Sequence, residues 1–106
     1  MAEKKKIIDF DALAKRKTLR IGGKEYGIQE PSADTFMEYM REFQEEATDY
    51  AKNPSQVPVD LIKAIHKVIP EKDLPAEVLR KKSVTTLRDI VGSIYADWQD
   101  VEPKNP

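Results

Sequence analysis

Few residues in this chain combine the type and the spacing that catalysis requires. Three carboxylates, Glu42, Glu45 and Glu46, are close enough in sequence to share acid and base roles. They fall on the polar face of a predicted helix, however, where charged side chains are ordinarily solvated. His66 is the only histidine and the chain has no cysteine, so neither a second imidazole nor a thiol could complete a metal site with it. We therefore expect His66 to be a surface residue.

Gly22-Gly23 is the other pattern with chemical potential, because glycine-rich turns bind phosphate where a helix follows them. A strand follows this pair instead. The sequence also has none of the motifs of P-loop, dinucleotide-binding, serine-hydrolase or zinc-peptidase sites. We therefore predict no catalytic residue, no cofactor and no metal. The chain is expected to act by binding and not as an enzyme.

Large apolar side chains at helical spacing are the residues best suited to binding. Between residues 36 and 50 they form a broader face than one neighbouring helix normally requires. Core packing explains such a face, and so does a groove for a partner helix, since aromatic and methionine side chains adapt their shape and dominate interface energetics. Two aromatic residues near the C-terminus allow the same two interpretations. The candidate partner-binding residues are Phe36, Tyr39, Met40, Phe43, Tyr95 and Trp98.

The elements that position these residues begin with a hairpin over residues 18–28. Leu19 and Ile21 alternate with polar residues, as do Tyr26 and Ile28, so each run places its apolar side chains on one face. A type I′ turn at the glycine pair would set Leu19 opposite Tyr26, whereas a type II′ turn one residue later would set Ile21 opposite Tyr26. The two registers differ by an even number of residues, so both keep the same apolar face.

Helix signals follow the hairpin. Ser32 can cap a helix of about 20 residues, which ends near the breaker at Pro54. The apolar residues of this helix recur at spacings of three and four. A second helix is expected to hold Pro58 in its first turn and to end at Pro70.

Two further helical segments are predicted in the last third of the chain. One is short and begins at Pro75. The other is capped by Ser83, and its apolar seam runs from Val84 to Trp98. Gly92 lies inside this helix at a cost of roughly 1 kcal/mol relative to alanine, so we expect it to mark a close helix crossing.

These elements predict a mainly α (α+β) fold, in which an N-terminal β-hairpin is followed by three to four helices in a small bundle. Residues 7–98 are expected to form a single domain. Residues 1–6 are predicted to be a flexible basic tail and residues 99–106 a flexible C-terminal tail.

A short helix is also predicted just before the hairpin. Asp9 or Asp11 can begin it, and the basic residues 15–17 can end it, because each charge then suits its end of the helix dipole. Ile7, Phe10 and Leu13 are the apolar residues expected to anchor this segment.

Charge is distributed unevenly along the chain, although the net charge is only −1. Residues 1–24 hold eight basic residues against three acids, and residues 25–60 hold two against nine. This argues against the broadly basic surface of a general nucleic-acid binder. The sequence lacks an apolar run of the roughly 20 residues that span a bilayer, and the apolar run after the basic start is too short for a signal peptide. We expect a cytoplasmic location.

The order of the elements is itself informative. An acidic and apolar start at residues 9–13 precedes a hairpin of the form Leu-x-Ile-Gly-Gly-Lys-x-Tyr-x-Ile, and a serine-capped helix and a final helix introduced by LPAEVLRKKSVTTL follow it. Over residues 7–98 this order resembles the tail assembly chaperones of long-tailed bacteriophages. Gly22, Gly23, Lys24 and Tyr26 carry most of the resemblance.

The resemblance implies a small, mostly helical protein of the host cell cytoplasm that acts while virions are built. Such chaperones coat the long, aggregation-prone tape measure protein, and tail tube subunits then replace them. Many members also exist in a longer form made by ribosomal frameshifting. The partners it implies are the tape measure protein and the tail tube protein, together with weak self-association. Neither a membrane nor a nucleic acid is expected as a partner.

Two other classes stay open at this point. One is an adaptor that binds nucleic acid through the basic residues 4–6 and 15–20, with the salt dependence that phosphate contacts confer. The other is a phage structural or connector protein, which would form a stable ring or dimer without any further partner.

Overall fold

The computed structural model describes residues 7–9, 15–45, 50–96 and 98. Its elements, in chain order, are β1 (Arg16–Ile21), β2 (Lys24–Gln29), α1 (Ala33–Met40), a π-helical segment (Arg41–Glu45), α2 (Gln56–His66), α3 (Ala76–Arg80) and α4 (Val84–Tyr95). This architecture confirms the predicted α+β fold, in which a hairpin is followed by a small helical bundle. The two predicted tails lie outside the described residues.

The hairpin adopts the first of the two registers. Leu19 lies opposite Tyr26, and Gly22 and Gly23 form the two-residue turn with φ values of 62° and 83°. Positive φ at both central residues is the requirement of a type I′ turn, which glycine meets without strain. Ile21 and Ile28 are buried on the inner face, as the alternation predicts.

The segment before the hairpin differs from the prediction. Residues 15–17, expected to end a short helix, instead lead into and begin β1. The Lys17 ammonium group reaches Ser93 in the last turn of α4, and that of Lys15 reaches the Trp98 carbonyl beyond it. Ile7 is 78% exposed and therefore does not anchor the segment. Phe10, Asp11 and Leu13 lie outside the described residues.

Helix α1 starts as predicted but does not continue as a regular α-helix. The Ser32 hydroxyl accepts a hydrogen bond from the Thr35 amide at 3.2 Å, which caps the first turn. Regular α-helical geometry ends at Met40, and the π-helical segment that follows widens the turn. Apolar spacings of three and four do not reveal one widened turn, so the prediction of a single helix of about 20 residues was wrong in this respect.

The remaining helices follow their signals closely. Pro58 lies in the first turn of α2, and α3 begins directly after Pro75. The Ser83 hydroxyl accepts from the Thr86 amide at 3.1 Å and caps α4. Helix α4 ends at Tyr95 and not at Trp98, because the backbone becomes extended at Ala96.

Helices α2 and α4 form the centre of one hydrophobic cluster, with the inner face of the hairpin packed on it. Its members are Ile21, Ile28, Leu61, Ala64, Ile65, Ile69, Leu74, Leu79, Leu87, Ile90, Val91, Ile94, Tyr95 and Trp98. Gly92 does not mark a close helix crossing, since a Cβ atom built on it would have no neighbour within 4 Å. Val84, predicted to lie in the seam of α4, is 39% exposed at the helix start.

Candidate protein-binding site

The six candidate residues divide into two groups. Tyr95 and Trp98 are only 8% and 6% exposed and belong to the core, so in this structure they are not accessible to a partner. The other four lie on α1 and the π-helical segment, which the structure brings together on one side of the domain. Phe36 is 41% exposed, and Tyr39, Met40 and Phe43 are half-buried.

The polar tips of both core aromatic residues are satisfied internally. The Tyr95 hydroxyl donates to the Ala64 carbonyl at 2.7 Å, and the Trp98 indole N–H donates to the Ile94 carbonyl at 2.7 Å. Buried tyrosine and tryptophan ordinarily find such partners. Burial raises the pKa of Tyr95 above its usual range. Helical spacing alone could not separate these core residues from interface residues, because both kinds share an apolar stripe.

Helix α1 rests on the domain through a small contact. None of its residues is buried. Tyr39 stacks on Tyr95 with ring centroids 4.0 Å apart and planes inclined by 5°. Through this stack, α1 lies on the surface of the core, and its other side is exposed.

An ammonium group provides a second attachment of α1. Lys67 Nζ lies 3.2 Å from a Glu38 oxygen and 3.3 Å from a Glu42 oxygen, so it bridges carboxylates one turn apart. Burial alone would lower the pKa of Lys67, but the hydrogen bonds to the two carboxylates outweigh it and raise this pKa. Glu42, which sequence alone made a candidate for acid and base chemistry, is therefore an ion-pair partner; Glu46 lies outside the described residues.

The outward side of α1 carries Met37, an apolar residue that is not among the six candidate partner-binding residues. Met37 is 59% exposed, next to Phe36. Its place on the broad apolar face was visible in the sequence, but exposure depends on which part of that face the core covers. Phe36 and Met37, called the α1 patch below, are the most exposed large apolar side chains of the helix. Exposed apolar patches of this kind often mark contact sites.

An open apolar groove of about 360 Å³ lies beside the same helix. Tyr39 and Phe43 line one wall, and α2 and α4 supply the others. The further lining residues are Tyr50, Val57, Leu61, Arg88, Val91 and Gly92. We call this cavity the α1 groove. The sequence does not reveal this groove, because helices that are distant in sequence form it.

The Tyr50 hydroxyl fixes one corner of the α1 groove. It donates to the Asp60 carboxylate at 2.8 Å, and the Gln56 amide donates to the other oxygen of Asp60 at 2.9 Å. Burial and the bond to Asp60 together raise the pKa of Tyr50 to about 12. The Asp60 carboxylate is thus already engaged by neighbouring side chains.

His66 and the metal-ligating side chains were the remaining candidates for chemistry. Within residues 7–9, 15–45, 50–96 and 98, no three metal-ligating side chains are grouped. We expected a surface residue at His66, but its side chain is half-buried. Its Nε2 lies 2.8 Å from the Leu74 carbonyl oxygen. Since a carbonyl only accepts, Nε2 carries the proton, and the ring joins α2 to the loop before α3.

Three basic residues in and just before β1 are engaged within the chain. Lys15 Nζ donates to the Trp98 carbonyl at 2.8 Å, and Lys17 Nζ donates to the Ser93 carbonyl at 2.8 Å. Arg20 pairs with Glu25 at 2.9 Å on the solvent side of the hairpin. These contacts leave less of the cluster available for phosphate groups than the sequence suggests.

Comparison of the chain with protein-family models, curated proteins and solved structures found no match. In the part of the chain that the structure describes, none of the helices has the length and apolar character needed to cross a membrane.

Proposed function

We propose that this chain is a bacteriophage tail assembly chaperone that binds and solubilises the tape measure protein and is displaced by tail tube subunits. The observation that supports this most is the α1 patch. Phe36 and Met37 are 41% and 59% exposed on a helix with no buried residue. A helix that contributes so little to the core, yet carries large apolar side chains, is suited to contact another protein.

The mechanism is reversible binding without covalent chemistry. Methionine and aromatic side chains fit varied apolar surfaces, so the α1 patch can cover successive apolar stripes on a long helical partner. Each contact is small and therefore weak, and many copies acting along one partner provide the total affinity. Weak single contacts also permit replacement by tail tube subunits. The process requires no cofactor and takes place in the host cell cytoplasm.

The test is co-expression with the longest coiled-coil-like protein encoded nearby. We expect this chain to raise the soluble fraction of that partner, and to co-purify with it. The double variant Phe36→Ser/Met37→Ser should lose the effect. Val59→Ser provides a matched control, because Val59 is 49% exposed on a different helix, α2. Unchanged partner solubility with the wild-type chain would refute the proposal.

Light scattering over a range of concentrations separates the proposal from a structural or connector role. The chaperone should be monomeric or form weak, concentration-dependent oligomers. A discrete ring or a stable dimer in the absence of partner would instead favour the connector.

A further inference from the structure

The α1 groove has the form of a receptor for a helix. Six of its eight lining residues form pairs four positions apart: Tyr39 and Phe43, Val57 and Leu61, and Arg88 with Gly92. Residues four apart lie on one face of a helix, so each wall is a helical ridge and the space between the ridges is a groove. Grooves of this kind accept the apolar side chains of an amphipathic helix at positions i, i+3, i+4 and i+7.

The floor of the α1 groove is apolar and closed. Leu61 and Val91 are 5% and 3% exposed, and both belong to the core. Gly92 has no side chain there and leaves open space above α4, since an added Cβ would touch nothing within 4 Å. An apolar side chain from a partner can therefore enter next to Gly92 without displacing the core.

Charge distinguishes one rim of the groove. Arg88 lines the groove and is exposed, and it has no ion pair with any residue that the structure describes. The lining residues include no acid. Asp60, which accepts from the lining residue Tyr50, is also engaged by Gln56. Arg88 is thus available to pair with a carboxylate of a partner.

We infer that the α1 groove binds one amphipathic helix of the partner, and that this helix carries an aspartate or glutamate beside its apolar stripe to pair with Arg88. The inference rests on the proposed function, since it identifies which segment of a helical client is recognised. Apolar burial supplies the affinity, and the carboxylate selects the segment and its orientation.

Two designed helical peptides test this inference. Each has about 18 residues, a length at which isolated helices become stable. Both carry leucine at i, i+3, i+4 and i+7, and they differ only in flanking residues, glutamate in one and lysine in the other. Isothermal titration calorimetry with the full chain should show tighter binding of the glutamate peptide by about two- to fivefold, the range of one exposed ion pair. This preference should shrink at high salt.

Arg88→Glu should reverse the preference, whereas Arg80→Glu, an exposed charge change on α3 outside the groove, should leave it unchanged. Gly92→Leu should weaken both peptides by at least about tenfold, because its side chain fills the space that a partner side chain would enter. Thermal unfolding of each variant checks that the fold is intact. If Arg88→Glu keeps the wild-type preference, or Gly92→Leu binds like wild type, the inference is wrong.

The two proposals fail separately. If the chain solubilises its partner but Arg88→Glu and Gly92→Leu do so equally well, the groove is not the site and the chaperone proposal stands. If the peptides bind with the expected charge preference but the partner stays insoluble, the groove recognises acidic helices and the chaperone proposal fails.

Discussion

The Lys17 ammonium lies 4.3 Å from the centre of the Trp98 ring and donates a hydrogen bond to the Ser93 carbonyl at 2.8 Å. Lys15 donates to the Trp98 carbonyl at 2.8 Å. The last carbonyls of an α-helix have no intrahelical partner and carry the negative end of its dipole. Strand β1 therefore supplies positive charge at the C-terminal end of α4, and this contact ties the hairpin to the last helix.

Replacing Lys17 by methionine tests this contact. The apolar stem is retained, but the hydrogen bond, the helix-end charge and the cation–π contact are lost, so we expect unfolding to become easier by about 1 to 2 kcal/mol. Arg16→Met is the matched control, since Arg16 is exposed on the other face of β1 and its loss should change stability by less than about 0.5 kcal/mol. Urea unfolding measures both. Equal losses for the two variants would show that Lys17 has no special role.

Local signals predicted the elements of this fold well. Ser32 and Ser83 cap helices as expected, and Gly22 provides the first positive φ value of the turn. Each of these features depends on residues within a few positions of one another, which a sequence displays directly. The sequence could not distinguish the two hairpin registers, because a shift by an even number of residues preserves the apolar face.

Long-range features could not be predicted in the same way. The pairing of Lys17 with Trp98 joins opposite ends of the chain, and no local pattern encodes it. Trp98 continues the apolar spacing of α4 but lies beyond its end, after the extended backbone at Ala96, and it is nevertheless buried. The sequence likewise identified an apolar face around Phe36. It could not separate the exposed part of this face from the covered part, because that depends on contacts between residues distant in sequence.

Tyr95→Phe should destabilise the domain through a single hydrogen bond. The Tyr95 hydroxyl donates to the Ala64 carbonyl at 2.7 Å, and the amide of Val68, which would ordinarily reach that carbonyl, bonds to Ile65 instead. Removing the hydroxyl leaves a buried acceptor unsatisfied, at a cost of about 1 to 3 kcal/mol. Tyr39→Phe keeps the ring that stacks on Tyr95 and should cost less than about 0.5 kcal/mol. Thermal unfolding measures the loss of stability in each variant. A larger loss for Tyr39→Phe than for Tyr95→Phe would contradict the role given to the Tyr95 hydrogen bond.

Gly92→Ala should stabilise the chain by up to about 1 kcal/mol. The position lies within α4, where alanine is favoured over glycine, and an added Cβ meets no atom within 4 Å. Gly22→Ala should have the opposite sign, with a loss of about 1 to 2 kcal/mol, because its φ of 62° is costly for a residue with a Cβ. Chemical denaturation gives both values. A destabilised Gly92→Ala variant would indicate a close contact that the structure does not show.

Alkaline conditions should weaken the fold through Tyr50. Its pKa is raised from 10.0 to about 12 in the folded state, so the folded chain keeps a proton that the unfolded chain releases. Stability is therefore fully present below about pH 10 and falls as the pH rises towards about 12. The raised pKa of Lys67 acts in the same direction.

Tyr50→Phe isolates this contribution. The variant loses the bond to Asp60 and should be somewhat less stable at neutral pH, but its free energy of unfolding should fall less steeply between about pH 10 and about pH 12. Urea unfolding at several pH values measures the slope. An identical slope in wild type and variant would assign the alkaline loss to other groups.

The exposed and covered parts of the aromatic face should respond in opposite ways to substitution. Phe36→Ser and Met37→Ser remove side chains that are 41% and 59% exposed, so we expect stability to change by less than about 1 kcal/mol while partner binding is lost. Trp98→Ala removes a core side chain that is 6% exposed and should cost about 3 to 5 kcal/mol. Thermal unfolding and co-purification with the partner, measured on the same variants, separate the two effects. If the α1 patch variants unfold as readily as Trp98→Ala, the patch contributes to the core and the partner-binding interpretation of α1 is wrong.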